Sequence, residues 1–321
     1  MRQGDGHHRA DLRFAAFFSL EASMAKLANN PVRARIALND ILYLTDFSVP
    51  SEAALPYARV LAMEYGAKLH ALHVLVPDVY AVTTPELAAE VEEGQEQYAK
   101  AQMKKIDAAL RDLPHDTTIA SGAFWPALEH AIHTNHIDLI VAGTHGRTGV
   151  RKMLLGSTAE EVFRGSKVPV LTIGPGVSAK PATQLRCILY ATDFSAASLA
   201  AVPYALSFAE ETQARLVLLH VIRQRRKGEM VGELSIADAL HQLHEIMPAD
   251  VALWCRPDPA VVYGDPAEQI VQFAAEQAAD LIVLGIRHGR HASMTAHLGE
   301  TTAHKVVARA TCPVLTVRGA E

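Results

Sequence analysis

The feature that most constrains the fold of this chain is an internal duplication. Residues 41–48, ILYLTDFS, recur as residues 188–195, ILYATDFS, after a shift of 147 residues and with seven of eight positions identical. A repeat this long is typical of two duplicated domains rather than of a solenoid built from short units. Two shorter segments repeat as well, with shifts of 142 and 144 residues: 138–143 as 280–285, and 169–172 as 313–316.

The length and composition agree with two packed domains. The chain has 321 residues, and domains usually hold roughly 100 to 200 residues. Half of the residues are hydrophobic, 20% are charged and the mean hydropathy is +0.09, a balance that builds packed cores rather than a disordered chain. We expect an amino-terminal extension at 1–35, which is disordered or, before Met24, an artefact. Two domains follow, at 36–174 and 184–318, and the linker between them, at 175–183, is rich in Pro, Gly, Ser and Ala.

Charge and cysteine usage exclude several classes of protein. Thirty basic and 35 acidic side chains give a formal charge of −5, so a general nucleic-acid binder is not expected. The three cysteines are far apart and form no C-x-x-C pair, which argues against a disulfide framework or a thiolate zinc site. No apolar run approaches the roughly 18 residues of a membrane span, and acidic residues flank the short apolar stretch at 12–20. We therefore expect a cytoplasmic protein without a membrane partner.

Secondary-structure patterns predict an α/β fold. In each copy, short β-branched runs alternate with helical stretches, which is typical of a parallel sheet built from βαβ units. The strands are continuously apolar, as expected when both faces of a sheet are covered. We predict two tandem open-sheet domains, each a five-stranded parallel sheet flanked by helices. In the first copy the predicted strands are 41–45, 69–75, 117–121, 138–142 and 169–173, and the predicted helices are 51–65, 86–113, 126–135 and 157–164.

A glycine-bearing loop follows the fourth strand of the first copy. Gly143, Gly146 and Gly156-Ser157 have the spacing G-x2-G-x9-G-S. Ligands of open parallel sheets bind beyond the carboxyl ends of the strands. Glycines let backbone approach a phosphate, and successive amides with a helix amino terminus at Ser157 attract negative charge. The spacing favours a phosphate chain, although glycines also end strands for purely structural reasons.

A carboxylate follows the first strand, at the same predicted edge of the sheet. Asp46 is placed to accept a hydrogen bond from a ribose hydroxyl or an adenine amino group. The backbone of residues 72–75 is placed to line the base. The alternative is that Asp46 forms a turn or caps the next helix. One residue can do both.

These residues together resemble the universal stress protein family, in its tandem form. The resemblance covers residues 36–174 and 184–318. It implies an adenine nucleotide alpha hydrolase-like, Rossmann-like fold, and its G-2x-G-9x-G-[S/T] signature implies binding of ATP, with or without Mg²⁺. The nucleotide-binding residues implied in this chain are Thr45, Asp46, Val74, Gly143, Gly146, Arg147, Gly156, Ser157 and Thr158.

The second copy departs from the signature. Its loop from Gly285 to Gly289 is one residue longer, and Gly299 is followed by Glu300 where the first copy has Ser157. A carboxylate about 4 Å from a phosphate charge costs on the order of 4 kcal/mol at an effective dielectric near 20. We therefore predict one competent nucleotide site, in the first domain, and a degenerate site in the second.

Two further features bear on partners. In the family the last strand pairs with its counterpart across a dimer axis, so 167–173 and 311–317 are predicted to pair within one chain as a pseudo-dimer. Whether pseudo-dimers form a homodimer is left open. Four histidines in the second copy form no recognised metal motif, and we interpret them as a solvated loop: His288, His291, His297 and His304.

Three functions remain compatible with the sequence. The first is a stress-response regulatory module in which the adenine nucleotide shifts the population toward the form that binds it. The second is a slow ATPase or self-phosphorylating protein with Ser157 or Thr148 as acceptor. Catalysis is the weaker expectation, because no general base stands in a recognisable motif and no Walker A lysine is present. The third is a nucleotide-free interaction scaffold.

Overall fold

A computed structural model of the chain describes its two repeated halves. The described residues are 36–77, 85–144, 162–163, 165–178, 184–223, 234–249, 251, 255–287 and 301–319. The first half comprises β1 (Asp40–Leu44), α1 (Val49–Tyr65), β2 (Lys68–Leu75), α2 (Pro85–Leu110), β3 (His115–Ser121), α3 (Phe124–Thr134), β4 (Leu139–Gly143) and β5 (Val170–Ile173). The second half comprises β6 (Cys187–Thr192), α4 (Ala196–Leu199), α5 (Val202–Thr212), β7 (Arg215–Ile222), α6 (Ile236–Glu245), β8 (Asp258–Tyr263), α7 (Pro266–Glu276), β9 (Leu281–Ile286), α8 (Thr302–Arg309) and β10 (Val314–Arg318).

All the described strands form one sheet of ten, in the order β3-β2-β1-β4-β5-β10-β9-β6-β7-β8. Strand neighbours are parallel within each half, which confirms the predicted α/β fold of two open parallel sheets. β5 and β10 are antiparallel neighbours, with Leu171 opposite Leu315. This is the pairing within one chain that the family resemblance implies, and it joins the two halves into a continuous sheet.

The core runs across the junction between the halves. One cluster of buried side chains contains Tyr43 and Ile173 of the first half together with Tyr190 and Leu315 of the second. β6 is buried at every residue, as expected for a strand covered on both faces. Further buried clusters lie in the second half, with Phe163, and in the first half, so the shared cluster joins the halves in addition to the packing within each.

Helix α1 begins two residues before its predicted start at Ser51. The side chain of Ser48 accepts a hydrogen bond from the backbone N–H of Ser51 and so caps the helix. Pro50 occupies the first turn, where a missing N–H costs nothing. The helix ends at Gly66 in the left-handed conformation, with φ +63°, which glycine adopts without a Cβ penalty. The predicted helix at 157–164 lies almost wholly outside the described residues.

The interpretation of the four histidines as a solvated loop is wrong for one of them. His304 is buried on α8 rather than solvated, because it lies on the helix face that packs toward the core. His288, His291 and His297 lie outside the described residues.

No helix among those described is long and apolar enough to cross a bilayer. All three cysteines are buried and carry free thiols.

Candidate functional site

The order of the strands reverses between β1 and β4, which is where open α/β sheets bind ligands. Four of the predicted site residues lie at this edge. Thr45 and Asp46 follow β1, Val74 is near the end of β2, and Gly143 ends β4. The other five predicted residues lie outside the described part of the chain: Gly146, Arg147, Gly156, Ser157 and Thr158.

Thr45 holds the turn that follows β1. Its hydroxyl oxygen accepts the backbone N–H of Phe47 at 3.0 Å and lies 3.2 Å from the hydroxyl of Ser51 on α1. Its own N–H donates to the carbonyl of Leu72 at 3.0 Å. The side chain is buried, so Thr45 shapes the rim of the site through these bonds rather than by exposing its hydroxyl.

The next residues form a tight, strained turn. The backbone N–H of Ser48 donates to Oδ1 of Asp46 at 3.0 Å, and a carboxylate has capacity for further donors such as a ribose hydroxyl. Phe47 adopts φ +61°, a left-handed conformation that costs a bulky residue of order 1–3 kcal/mol. Its ring packs 4.3 Å from the His73 ring and edge-on to Tyr98 at 6.1 Å. This packing offsets part of the strain.

A histidine on β2 completes the support of the turn. Nδ1 of His73 lies 2.8 Å from the carbonyl oxygen of Thr45. Because a carbonyl only accepts, Nδ1 carries the proton. The second half repeats the contact, with Nδ1 of His220 2.9 Å from the carbonyl of Thr192. Burial lowers the pKa of His220, and this backbone bond opposes the shift, so the ring is neutral at neutral pH.

Val74 lies where β2 continues past the end of its neighbour. β1 pairs with β2 as far as Leu44 opposite Leu72, and the carbonyl of Leu72 points to the β1 side, where it accepts from Thr45. Alternate residues of a strand direct their backbone polar groups to the same side. The N–H and carbonyl of Val74 therefore face the crevice beyond β1, in a position suited to the edge of a base.

Gly143 is required by packing. A Cβ at this position would collide with the backbone carbonyl of Pro50 at the start of α1. Gly285 has the same relation to the carbonyl of Ala197 in the second half. The first glycine of the loop thus has a structural role in both halves, whatever it contributes to a ligand.

The second half contains a cavity of about 170 Å³ at the corresponding edge of the sheet. Its walls include Thr192, Asp193 and Val221, which are the equivalents of Thr45, Asp46 and Val74 at the 147-residue shift. Gly285 and the first residues of α8, Thr302 and Ala303, complete the wall. The residue types that the repeat singles out therefore converge on one concave site.

A cation pairs with the acidic residue of this second site. Arg287 contacts Asp193 at 3.2 Å. Burial alone would raise the pKa of Asp193, but hydrogen bonds from Ser195 and Ser198, with the charge of Arg287, lower it. No described cation pairs with Asp46 in the first half. Within the described part of the chain, which leaves out the loop at 145–150, Asp193 is the one of the two carboxylates with a cation partner.

Sequence reasoning missed three residues that build the turn. Phe47, Ser51 and His73 position Thr45 and Asp46 without a recognisable motif of their own. The signal that finds them is the repeat, because at the same 147-residue shift they recur as Phe194, Ser198 and His220. Within the described residues, no group of three His, Cys, Asp or Glu side chains is arranged to hold a metal ion.

Comparisons with known proteins give one consistent family. The family model of the Universal stress protein family matches residues 38–174 and 185–318. A universal stress protein of Mycolicibacterium smegmatis is 27% identical over 293 residues, which are 87% of this chain and 96% of that protein. One of Thermus aquaticus is 36% identical over 137 residues, 41% of this chain and 98% of that protein.

A solved structure agrees in fold over nearly the whole length. The crystal structure of a universal stress protein from Archaeoglobus fulgidus has a TM-score of 0.68 and 24% identity, and covers 89% of this chain and 100% of that one. At this identity the likeness concerns the fold alone. Because the family profile matches both halves, the chain belongs to the universal stress protein family.

Proposed function

We propose that the chain binds ATP or a related adenine nucleotide, with or without Mg²⁺, at the carboxyl ends of β1, β2 and β4. The observation that carries this proposal is the cavity of the second half, on whose wall the equivalents of Thr45, Asp46 and Val74 converge. The repeat places the same residue types around the same edge in the first half. There the glycine signature is complete, whereas the second half has Glu300 in place of Ser157.

Each residue has a distinct part in this proposal. Asp46 accepts from the ribose, Val74 presents backbone groups to the base, and Thr45 acts as a positioning residue. The amides between Gly143 and Gly156, with Arg147, Ser157 and Thr158, hold the phosphates. We propose domains at 36–174 and 184–318, joined by a linker at 175–183. Only the first is competent in this proposal, because the second has Glu300 where the signature has Ser157.

In this proposal the nucleotide acts as a regulatory ligand rather than as a substrate for hydrolysis. A ligand that binds the folded, closed form stabilises that form in proportion to its concentration relative to its Kd. We place this role in the cytoplasm, where the buried free thiols stay reduced. The sequence has no general base in a recognisable motif and no Walker A lysine, so we expect hydrolysis to be slow or absent.

Isothermal titration with ATP, ADP and AMP tests the proposal. We expect one site per chain, and at least about a tenfold loss of affinity in Asp46→Ala, since a hydrogen bond to a charged group contributes about 1.5–3 kcal/mol. Asp193→Ala is the matched control, because it removes the equivalent carboxylate from the other half, and should leave the affinity unchanged. Absence of heat and of a melting shift at millimolar nucleotide would favour a nucleotide-free scaffold instead.

A further inference from the structure

A second cavity lies between the two halves, away from the carboxyl ends of the strands. Its volume is about 280 Å³. α1 of the first half forms one wall with Val60 and Leu61, and Phe208 of α5 faces it from the second half. The segments entering β9 and β10, at Asp280 and Pro313, form the end of the cavity. Its wall therefore needs both halves in their observed arrangement.

The size and lining of the cavity suit a small molecule with a compact apolar ring system. Most of the wall is made of aliphatic and aromatic side chains, among them Leu171, Leu185 and Leu281. An apolar cavity of roughly 150 Å³ holds benzene, and ligand pockets begin near 300 Å³. The present volume is intermediate, which corresponds to a bicyclic ring system with a short arm.

The linker closes one side of this cavity. The hydroxyl of Tyr57 on α1 donates to the carbonyl of Ser178 at 2.9 Å. Gly174 and Gly176 lie so close to the carbonyls of Val307 and Ala310 that a Cβ at either glycine would need these atoms to move. The described part of the linker is thus held against both α1 and the end of α8.

One carboxylate gives the cavity its charge. Oδ2 of Asp280 accepts the backbone N–H groups of Arg186 and Cys187 at 2.8 and 3.0 Å, which fixes the orientation of the side chain. No cation among the described residues pairs with it. The thiol of Cys312, also in the wall, stays neutral, because burial and the charge of Asp280 raise its pKa to about 12.

From this juxtaposition we propose that the cavity binds a small organic amine, with an aromatic or branched apolar body between α1 and Phe208 and its ammonium group at Asp280. A fixed carboxylate at the end of an apolar cavity favours a cation over a neutral body of the same shape and disfavours an anion. This site is separate from the nucleotide site, and either one can exist without the other.

Three indoles of similar shape and different charge provide the test with the full-length protein. Tryptamine, 3-methylindole and indole-3-acetate are titrated by calorimetry and by saturation-transfer NMR, in the absence and presence of saturating ATP. We expect tryptamine to bind about tenfold more tightly than 3-methylindole, and indole-3-acetate to bind most weakly. ATP should not displace tryptamine. Equal binding of the three compounds, or none, would overturn the proposal.

Matched variants locate the site. Val60→Trp fills the cavity from α1 and should abolish tryptamine binding. Met63→Trp places the same side chain on the same helix at a position that is 60% exposed, and should leave binding intact. Asp280→Asn keeps an oxygen for the two backbone amides and should lower the affinity for tryptamine to that for 3-methylindole. Undiminished tryptamine binding in Val60→Trp would place the amine elsewhere and refute the assignment.

Discussion

The guanidinium of Arg287 lies 3.2 Å from the carboxylate of Asp193, which lines the cavity in the second half. Arg287 belongs to the loop that is one residue longer than its counterpart in the first half. This loop thus brings a positive charge to the acidic residue of the second half.

Replacing Arg287 by alanine should raise the pKa of Asp193 toward its ordinary value. The lowered pKa of the folded state means that Asp193 adds stability above its unfolded pKa of about 3.9, and that this stability is lost as the pH falls through the folded value. NMR titration of the Asp193 carboxyl carbon measures the change. Arg256→Ala, another exposed arginine, is the control, and an equal shift in both variants would contradict the assignment.

Adding a methyl group at Gly143 or Gly285 should destabilise the protein. The new Cβ would press against the backbone carbonyl of Pro50 or Ala197, and overpacking of this kind costs about 1–3 kcal/mol. Gly94→Ala is the control, because that helical position is exposed and has no atom near the added Cβ; it should raise the free energy of unfolding by about 0.5–1 kcal/mol. Urea denaturation measures all three, and a neutral Gly143→Ala would disprove the packing role.

Phe47 should tolerate glycine better than alanine. Both substitutions remove the ring contacts with His73 and Tyr98. Alanine retains the steric strain of φ +61°, whereas glycine adopts this conformation without that strain. We expect Phe47→Gly to be about 1 kcal/mol more stable than Phe47→Ala in urea unfolding. The same pair at Phe194, with φ +58°, should show the same order, and the reverse order at both sites would contradict the strain argument.

Tyr43 should make the protein sensitive to alkali. Its hydroxyl donates to the carbonyl of Ser51 at 2.8 Å, and burial raises its pKa to about 12. The stability that this group provides is fully present below its unfolded pKa of about 10 and falls by about 1.4 kcal/mol per pH unit as the pH rises toward the folded value. Urea unfolding between pH 9 and 12 should therefore show a shallower loss in Tyr43→Phe than in the unaltered protein.

Tyr190 provides an internal comparison for that experiment. Burial raises its pKa as well, and its hydroxyl donates to the carbonyl of Ser198 at 2.8 Å. Tyr190→Phe should flatten the alkaline limb in the same way, and the double variant should flatten it further. If both single variants kept the full slope, other groups would be responsible for the alkaline loss.

The fold followed from the sequence because the repeat and the strand pattern are local signals. β1 and β2 begin within one residue of their predicted starts. The start of α1 was placed wrongly at Ser51, because either Ser48 or Ser51 is a suitable cap and the choice depends on how the chain leaves β1. The burial of His304 and the ion pair at Arg287 depend on tertiary packing, for which no spacing in the sequence is diagnostic.

The candidate site was predictable in its position but not in its construction. Asp46 and Val74 lie where the sequence places them, at the reversal in strand order. The role of His73 is invisible in a linear pattern, since its contact with Thr45 joins residues 28 positions apart. Likewise, Gly143 is needed for the approach of α1, which only the packed structure reveals.

The antiparallel contact of β5 with β10 has a consequence for biosynthesis. The two strands are bridged by a bond from the Thr316 hydroxyl to the Val170 carbonyl, which joins residues 146 positions apart. A ribosome must therefore deliver nearly the whole second half before β5 gains its partner. During that interval the nascent first half displays an apolar strand edge, which invites pairing with other chains before the native partner is available.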